Sequence, residues 1–497
     1  MRYAVTALAA WFLASGAWAQ TVVKAELSGD VTLVGEATER ANVFRNIPFA
    51  AAPVGKLRWA PPQPAPRWTG ERDATKNGPS CPQPMNADGT PNGGGANGPM
   101  SEDCLQLNVF APKAAKAVPV MVWIHGGSHR TGAGWIYDGQ NFARDGVLVV
   151  TINYRLGPLG YFAHPALTKD AGAQATGNFG LMDQVAALKW VQKNIAAFGG
   201  DPRNVTVFGE SAGGMSTLAL LATPSAKGLY QKAIVQSGGG WFPPATLADK
   251  EKEFAAAVEK AGIAAATADD LRAVPWEKIN AIPGNYGPFI DGKVMPETAS
   301  QALAGGRFAD VPLIIGFNSG EDSLLGGGSA AGRMGPIPDA TRAVYKDAGD
   351  DNAIARAIFT DRIFGAPARW VAAEAATGKP AWLYHFSYVA TRFRPAGVKT
   401  AAHAAEIPYV FEYWGRRTPM SVVSDEDKQV ATLMHACWVS FAKTGAPKCG
   451  AEAWPAYDAK ADRLMEFGAS SGVRTAFRKA QFEAQAAVSM PTLKLAK

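Results

Sequence analysis

Uninterrupted apolar runs of four to seven residues recur along the chain, and stretches with helical spacing fall between them. "VPVMVWIHGG" is apolar from Val118 to Ile124, and "GVLVVTINYRLG" from Val147 to Ile152. "VTVFGE", "KAIVQSG", "VPLIIGFNSGED" and "AWLYHFSYV" repeat the theme. Short runs without alternation suit strands buried on both faces, as in a parallel sheet covered by helices. "GLMDQVAALKWVQKNIAAFGG" and "AGGMSTLALLAT" have helical patterns, so strand and helix alternate as in an α/β doubly wound sheet. Residues 20–80 carry two shorter strand patterns and then Pro-rich coil. Residues 245–375 are richer in helical stretches and read as insertions over the sheet. They are not read as a separate domain, no internal repeat is visible, and one domain over residues 20–497 is expected.

Composition narrows this. The chain has 497 residues, 47% hydrophobic and 19% charged, ample for a large core. The formal charge of +6 is spread without a basic run, which argues against a nucleic-acid partner. Residues 1–19 pair Arg2 with an apolar run and end in "AWA", a signal-peptide pattern with cleavage near Ala19–Gln20. No later segment approaches the ~20 apolar residues of a spanning helix. A soluble, exported protein, periplasmic or secreted, is expected. Four cysteines fit an oxidising compartment, and proximity favours Cys81 with Cys104 and Cys437 with Cys449. The first pair would close a loop rich in Gly, Pro and Asn, for which loop-closure entropy suggests about 3 kcal/mol. None of the four sits in a CxxC pair, so a zinc or redox site is not expected.

The candidate chemistry centres on "VTVFGESAGG", residues 205–214. A strand, then G-x-S-x-G, then a helix is the nucleophile-elbow arrangement. It would put Ser211 at a tight turn that tolerates only small neighbours (Gly209, Ala212, Gly213, Gly214), with helix N–H groups facing any developing negative charge. A serine needs a base. Of His125, His129, His164, His385, His403 and His435, only the last three follow the serine in the order this fold requires. His385 lies in a strand pattern and His435 in a helix pattern. His403 follows a Gly/Pro loop that can reach over a sheet edge, and is favoured. The acid that orients it should sit at a strand end. Glu321 and Asp322 both qualify, and Asp291 in "PFIDG" is a weaker third. Amides of Gly126, Gly127 and Ser128, after the Val118–Ile124 strand, and of Ala212 could form an oxyanion hole.

These stretches, with "SEDCLQLNVF", "TINYRLGPLGYF", "GNFGLMDQVAALKWVQKNIAAFGGDP", "IIGFNSGED" and "HAAEIPYVF", resemble the type-B carboxylesterase family, which includes para-nitrobenzyl esterases, cholinesterases and the non-catalytic neuroligins. The likeness runs from about residue 20 to 450. It implies an α/β-hydrolase fold, with a large, mostly parallel central sheet and helical insertions around an active-site gorge. It also implies ester hydrolysis through an acyl-enzyme, with no metal or organic cofactor. By resemblance Ser211 is the nucleophile, His403 the base and Glu321 the acid, with oxyanion donors at Gly127, Ser128 and Ala212. Ser128 stands where many members have Gly or Ala. The family's first disulfide matches Cys81–Cys104, while Cys437–Cys449 is not mapped by the likeness and rests on spacing and compartment alone. Partners would be a small-molecule ester and water; oligomeric state is not legible. A neuroligin-like binding role is disfavoured because all three triad positions are filled. Amide or thioester hydrolysis is not separable by residues. The 81–104 loop contains no Trp, Tyr or Phe, so a cation–π platform for choline esters is absent there.

Overall fold

The apolar runs assemble into one large sheet. The structure, a computed structural model, describes residues 21–495 apart from 28–30, 87, 89, 91–94, 416–417 and 451–452. The segment read as a signal peptide lies outside the described residues. Thirteen described strands take part: β1 (Val22–Leu27), β2 (Val31–Ala37), β3 (Asn42–Pro48), β4 (Gly70–Asp73), β5 (Gln106–Ala111), β6 (Val118–Ile124), β7 (Leu148–Ile152), β8 (Gly200–Glu210), β9 (Lys232–Gln236), β10 (Leu313–Asn318), β11 (Ala381–Phe386), β12 (Arg463–Phe467) and β13 (Gly472–Thr475). Their order is β1-β2-β3-β5-β7-β6-β8-β9-β10-β11-β12-β13, with β4 beside β2. Every pairing from β7 through β12 is parallel. The pairs β1–β2, β2–β3, β3–β5, β5–β7 and β12–β13 are antiparallel. The fold is that of an α/β hydrolase.

The period-2 geometry of a strand explains why the central runs are apolar throughout. In β6, Val120, Val122 and Ile124 face one core while Met121 and Trp123 face the other. In β8, Val205 and Val207 divide from Phe208 in the same way. The first face is covered by α1 (Phe179–Asn194), α2 (Ala212–Leu221) and α3 (Ala366–Ala375), which contribute Leu188, Leu218 and Val371. The second is covered by α4 (Asp425–Thr444), through Met434 and Trp438. α4 starts with a capping box, in which Ser424 and Asp427 satisfy each other's backbone N–H.

The 245–375 region is mostly helical, but it also sends β10 into the middle of the sheet, and its part from Ala330 to Ile358 has a small core of its own. Disulfides join Cys81 to Cys104 and Cys437 to Cys449. No described helix is long and apolar enough to cross a membrane.

Where the chain leaves β7, a buried ion pair fixes it to α1. Arg155 donates through Nε to Asp183 Oδ2 and through Nη2 to Asp183 Oδ1, both at 2.8 Å. Its backbone N–H adds a third bond to Asp183 Oδ2 (3.0 Å), and Nη1 reaches Ala60 O (2.9 Å). Both side chains are buried, so removing one partner would leave the other as an uncompensated buried charge. Asp183→Ala is therefore expected to destabilise the protein by about 3–5 kcal/mol, read as a large fall in thermal midpoint or as failure to accumulate folded. An unchanged midpoint would contradict this account.

Candidate active site

The turn between β8 and α2 is built by close backbone approaches. Ser211 has φ 54° and ψ −122°, outside the usual regions for a non-glycine residue. Its N–H donates to Gln236 O at 2.8 Å, and its carbonyl accepts from Met215 N at 2.8 Å. A Cβ on Gly213 would come within 1.9 Å of Ile124 O, one on Gly209 within 2.5 Å of Gly213, and one on Gly214 within 2.7 Å of Gln236 O. The small residues around Ser211 are thus steric requirements.

Beside this turn, the loop after β6 folds back on itself. Gly127 has φ 102°, and Arg130 and Thr131 both donate backbone N–H groups to Gly127 O. Ser128 (φ 57°) and His129 (φ 54°) are both left-handed, each at a cost of about 1–3 kcal/mol for a non-glycine residue. A Cβ on Gly126 would lie 2.6 Å from Glu210 Oε2 and 3.1 Å from Ser211 Cβ, so this loop and the turn are in direct apposition. Ala212 is fully buried at the start of α2.

His129 is buried and stays neutral. Burial, with the neighbouring His125, pushes it down to about 3. Its Nε2 lies 3.0 Å from Ser216 Oγ. That hydroxyl also accepts from Gln184 Nε2 (3.0 Å). The Ala212 and Tyr286 carbonyls also lie against the ring.

Glu321 and His403 meet across the sheet end. Glu321 is completely buried just past β10, and His403 Nδ1–H donates to its Oε2. Ser237 Oγ (2.6 Å) and the Asn318 N–H (2.7 Å) donate to Oε1. His403 is held from behind by its own N–H to Ser323 Oγ at 2.9 Å. Its Nε2 lies 3.1 Å from Glu210 Oε1, the carboxyl group of the residue before Ser211. Ser211 Oγ hydrogen-bonds to no described residue. A third buried acid, Glu406, accepts from Gln236 Nε2 (3.0 Å) and Asn318 Nδ2 (2.6 Å).

Three buried acids therefore surround one imidazole. Burial raises Glu210, and the neighbouring Glu406 and Glu321 add to the shift against the opposing pull of His403. Burial likewise raises Glu406. Burial alone would lower His403, but Glu210 and Glu321 outweigh it and hold the imidazole above its ordinary value. Glu210 Oε1 and His403 Nε2 face each other without a hydrogen bond, so the two groups act on one another through charge.

The other sequence candidates go elsewhere. Asp322 pairs with Arg356 Nη1 at 3.1 Å. Asp291 accepts from Asn178 and from the backbone of Lys293, Val294 and Met295, an ordinary turn acid. His385 lies among aromatic rings 3.7 Å from Glu466, and His435 bonds Val410 O (2.7 Å) and Asp145 Oδ2 (3.0 Å). Asp145, Glu412 and His435 bring potential metal-ligand atoms together. Arg144 Nη2 already bonds both carboxylates there, at 2.6 and 2.7 Å. Sequence reasoning missed Glu210, Ser237, Glu406 and His129. The first occupies the free position of the elbow pattern, and the next two sit in "QSG" and "HAAEIPYVF", stretches read for a strand, for His403 and for their likeness but not for these two side chains.

The sequence pattern of the carboxylesterase family matches residues 19–330 and 339–485. The chain belongs to the carboxylesterase family. It is 38% identical over 461 residues to the fumonisin B1 esterase of Sphingopyxis macrogoltabida, covering 86% of this chain and 84% of that one. It is 38% identical over 456 residues to the para-nitrobenzyl esterase of Bacillus subtilis (strain 168), covering 83% and 88%. A crystal structure of a Geobacillus stearothermophilus carboxylesterase superposes with a TM-score of 0.80 at 34% identity, covering 92% of this chain and 99% of that one. This member of the family is accordingly a carboxylic ester hydrolase, whose substrates are a small-molecule ester and water.

Replacing Glu210 with Gln removes an anion that favours the charged imidazole. His403, followed by NMR of its ring nitrogens, is expected to titrate above the ordinary histidine value near 6.5 in the wild type. In Glu210→Gln it should titrate at a distinctly lower pH. An unchanged titration would show that Glu210 does not act on His403.

Proposed function

We propose that this esterase works through an acyl-enzyme on Ser211, with His403 as general base and acid and Glu321 as the acid that orients it. The observation that carries the reading is the convergence at one sheet end of a strained, unbonded Ser211 with a Glu321–His403 pair. Glu321 accepts from Nδ1–H and so keeps Nε2 as the reacting nitrogen. Ionised Glu210 holds the proton on Nε2, whereas neutral Glu210 leaves the lone pair free.

The steps follow. His403 Nε2 accepts the Ser211 hydroxyl proton as Oγ bonds to the ester carbonyl carbon. The carbonyl oxygen becomes an oxyanion and takes hydrogen bonds from the amides of Gly127, Ser128 and Ala212, with Gly126 shaping the loop. The C–O bond to the alcohol breaks, and His403 gives its proton to the leaving oxygen. Water then loses a proton to Nε2 and attacks the acyl carbon, and collapse releases the carboxylic acid and restores Ser211. The strained Ser128–His129 loop supports pre-set donors, whose value lies in needing no reorganisation as charge develops. Export is part of the proposal, supported by the N-terminal pattern of residues 1–19 and by the two disulfides.

Two outcomes test the assignment. A fluorophosphonate probe should label the wild type on Ser211, and Ser211→Ala should take up no label and lose ester turnover by about a thousandfold or more. Labelling elsewhere, or retained turnover in a folded variant, would overturn the nucleophile. His129→Phe, which keeps an aromatic ring but loses the Ser216 bond, should lower kcat by about ten- to a hundredfold while KM stays nearly constant. Affinity for a trifluoromethyl ketone should fall in parallel. Equal kcat in a folded variant would remove His129 from the positioning of the donor loop.

A further inference from the structure

Away from the esterase site, the structure contains a half-open groove of about 950 Å³. That is within the size of cavities that hold small organic ligands, roughly 300–1,000 Å³. One wall is a single face of α1: Met182, Val185, Ala186, Lys189, Trp190 and Lys193. The spacing is i, i+3, i+4, i+7, i+8, i+11, the stripe a helix presents to one side. The opposite wall is the Pro-rich coil of residues 61–69, with Trp68, and Phe49 lies at the β3 end. Nothing in the proposed catalytic cycle uses any of these residues.

The chemistry of the groove changes along the helix. Met182 and Val185 are buried, and with Phe49 they make an apolar end. One and two turns further on, Lys189 and Lys193 stand exposed, and Arg67 lies on the facing coil. Among the described residues none of these three cations has an ion-pair partner, and no described lining residue is acidic. From Met182 to Lys193 the helix rises about 16 Å. An apolar trough of this length bordered by cations with no ion-pair partner among the described residues is complementary to one linear shape: an aliphatic tail with an anionic head.

We propose that this groove binds the carboxylate of a medium- to long-chain aliphatic acid. The chain would lie between Met182, Val185 and Phe49, with the head group at Lys189, Lys193 and Arg67. Ammonium groups on flexible stems suit a single carboxylate as point charges, without the bidentate geometry an arginine pair would impose. The groove is concave, which favours a free acid over the plane of a membrane. The ligand belongs to the chemical class that ester hydrolysis releases, but the site stands on its own geometry and does not depend on Ser211 being the nucleophile.

The test is calorimetric titration of the whole protein with dodecanoate, with dodecanol and acetate as controls, in the wild type and in Lys189→Gln/Lys193→Gln. Both lysines are exposed, so the double variant is expected to fold and to hydrolyse esters as the wild type does. Dodecanoate should bind the wild type and lose at least tenfold in affinity in the double variant. Dodecanol should bind more weakly and with no difference between the two proteins, and acetate should not bind. An Ala186→Trp variant, which fills the trough, should abolish the dodecanoate signal in a protein that still turns over ester. Dodecanoate affinity equal in wild type and the lysine variant would overturn the proposal. So would no binding at all, or binding to phosphatidylglycerol vesicles without binding to free dodecanoate.

Discussion

Gly213 passes so close to the carbonyl of Ile124 that a single added carbon would occupy the oxygen's own volume. That contact welds the start of α2 to the end of β6. Since β6 and β8 are parallel neighbours, their carboxyl ends emerge together, and the loop after β6 must lie over the turn after β8. The left-handed residues at Ser128, His129 and Ser211 follow from the same crowding. A serine in such a conformation cannot relax without moving a strand of the central sheet, and that sheet is buried on both faces. The rigidity of the site is therefore borrowed from the hydrophobic core, which has far more free energy at stake than any bond within the site.

A second constraint is charge. Three buried carboxyl groups crowd around one largely buried imidazole, where an isolated ionised acid is costly. Hydrogen bonds sort them. Glu321 receives three donors, Glu406 receives two amide side chains, and the Oε1 of Glu210 receives none. Burial raises both Glu210 and Glu406, and of these two it is Glu210 whose carboxyl group faces the imidazole Nε2.

Much of this was legible in the sequence, because the decisive features are local. Strand, turn and helix fall within seventeen residues around Ser211, and the buried parallel strands announce themselves as unalternated apolar runs. The choice between Glu321 and Asp322 was not legible from the residues. It depends on which of two adjacent side chains turns inward at a strand end, and only family likeness favoured the first. In the fold, Glu321 is enclosed and Asp322 turns to Arg356. Ser237 and Glu406 escaped notice for a related reason. Their bonds span 84 and 170 residues of sequence, to Glu321 and Gln236, and no local pattern encodes such pairings. His129 was set aside because it precedes the serine in the chain, a rule that applies to a base and not to a residue that holds a loop.

Glu210 carries a consequence for how such an enzyme can change over generations. The elbow pattern fixes the glycines on steric grounds but leaves the residue before the serine free, and here that free position touches the imidazole. A single codon can exchange an acid, an amide or an apolar side chain at that point without disturbing the turn, the Glu321–His403 pair or the sheet. The acidity range in which a lineage works would then be an adjustable property, separable from the fold and from the choice of substrate.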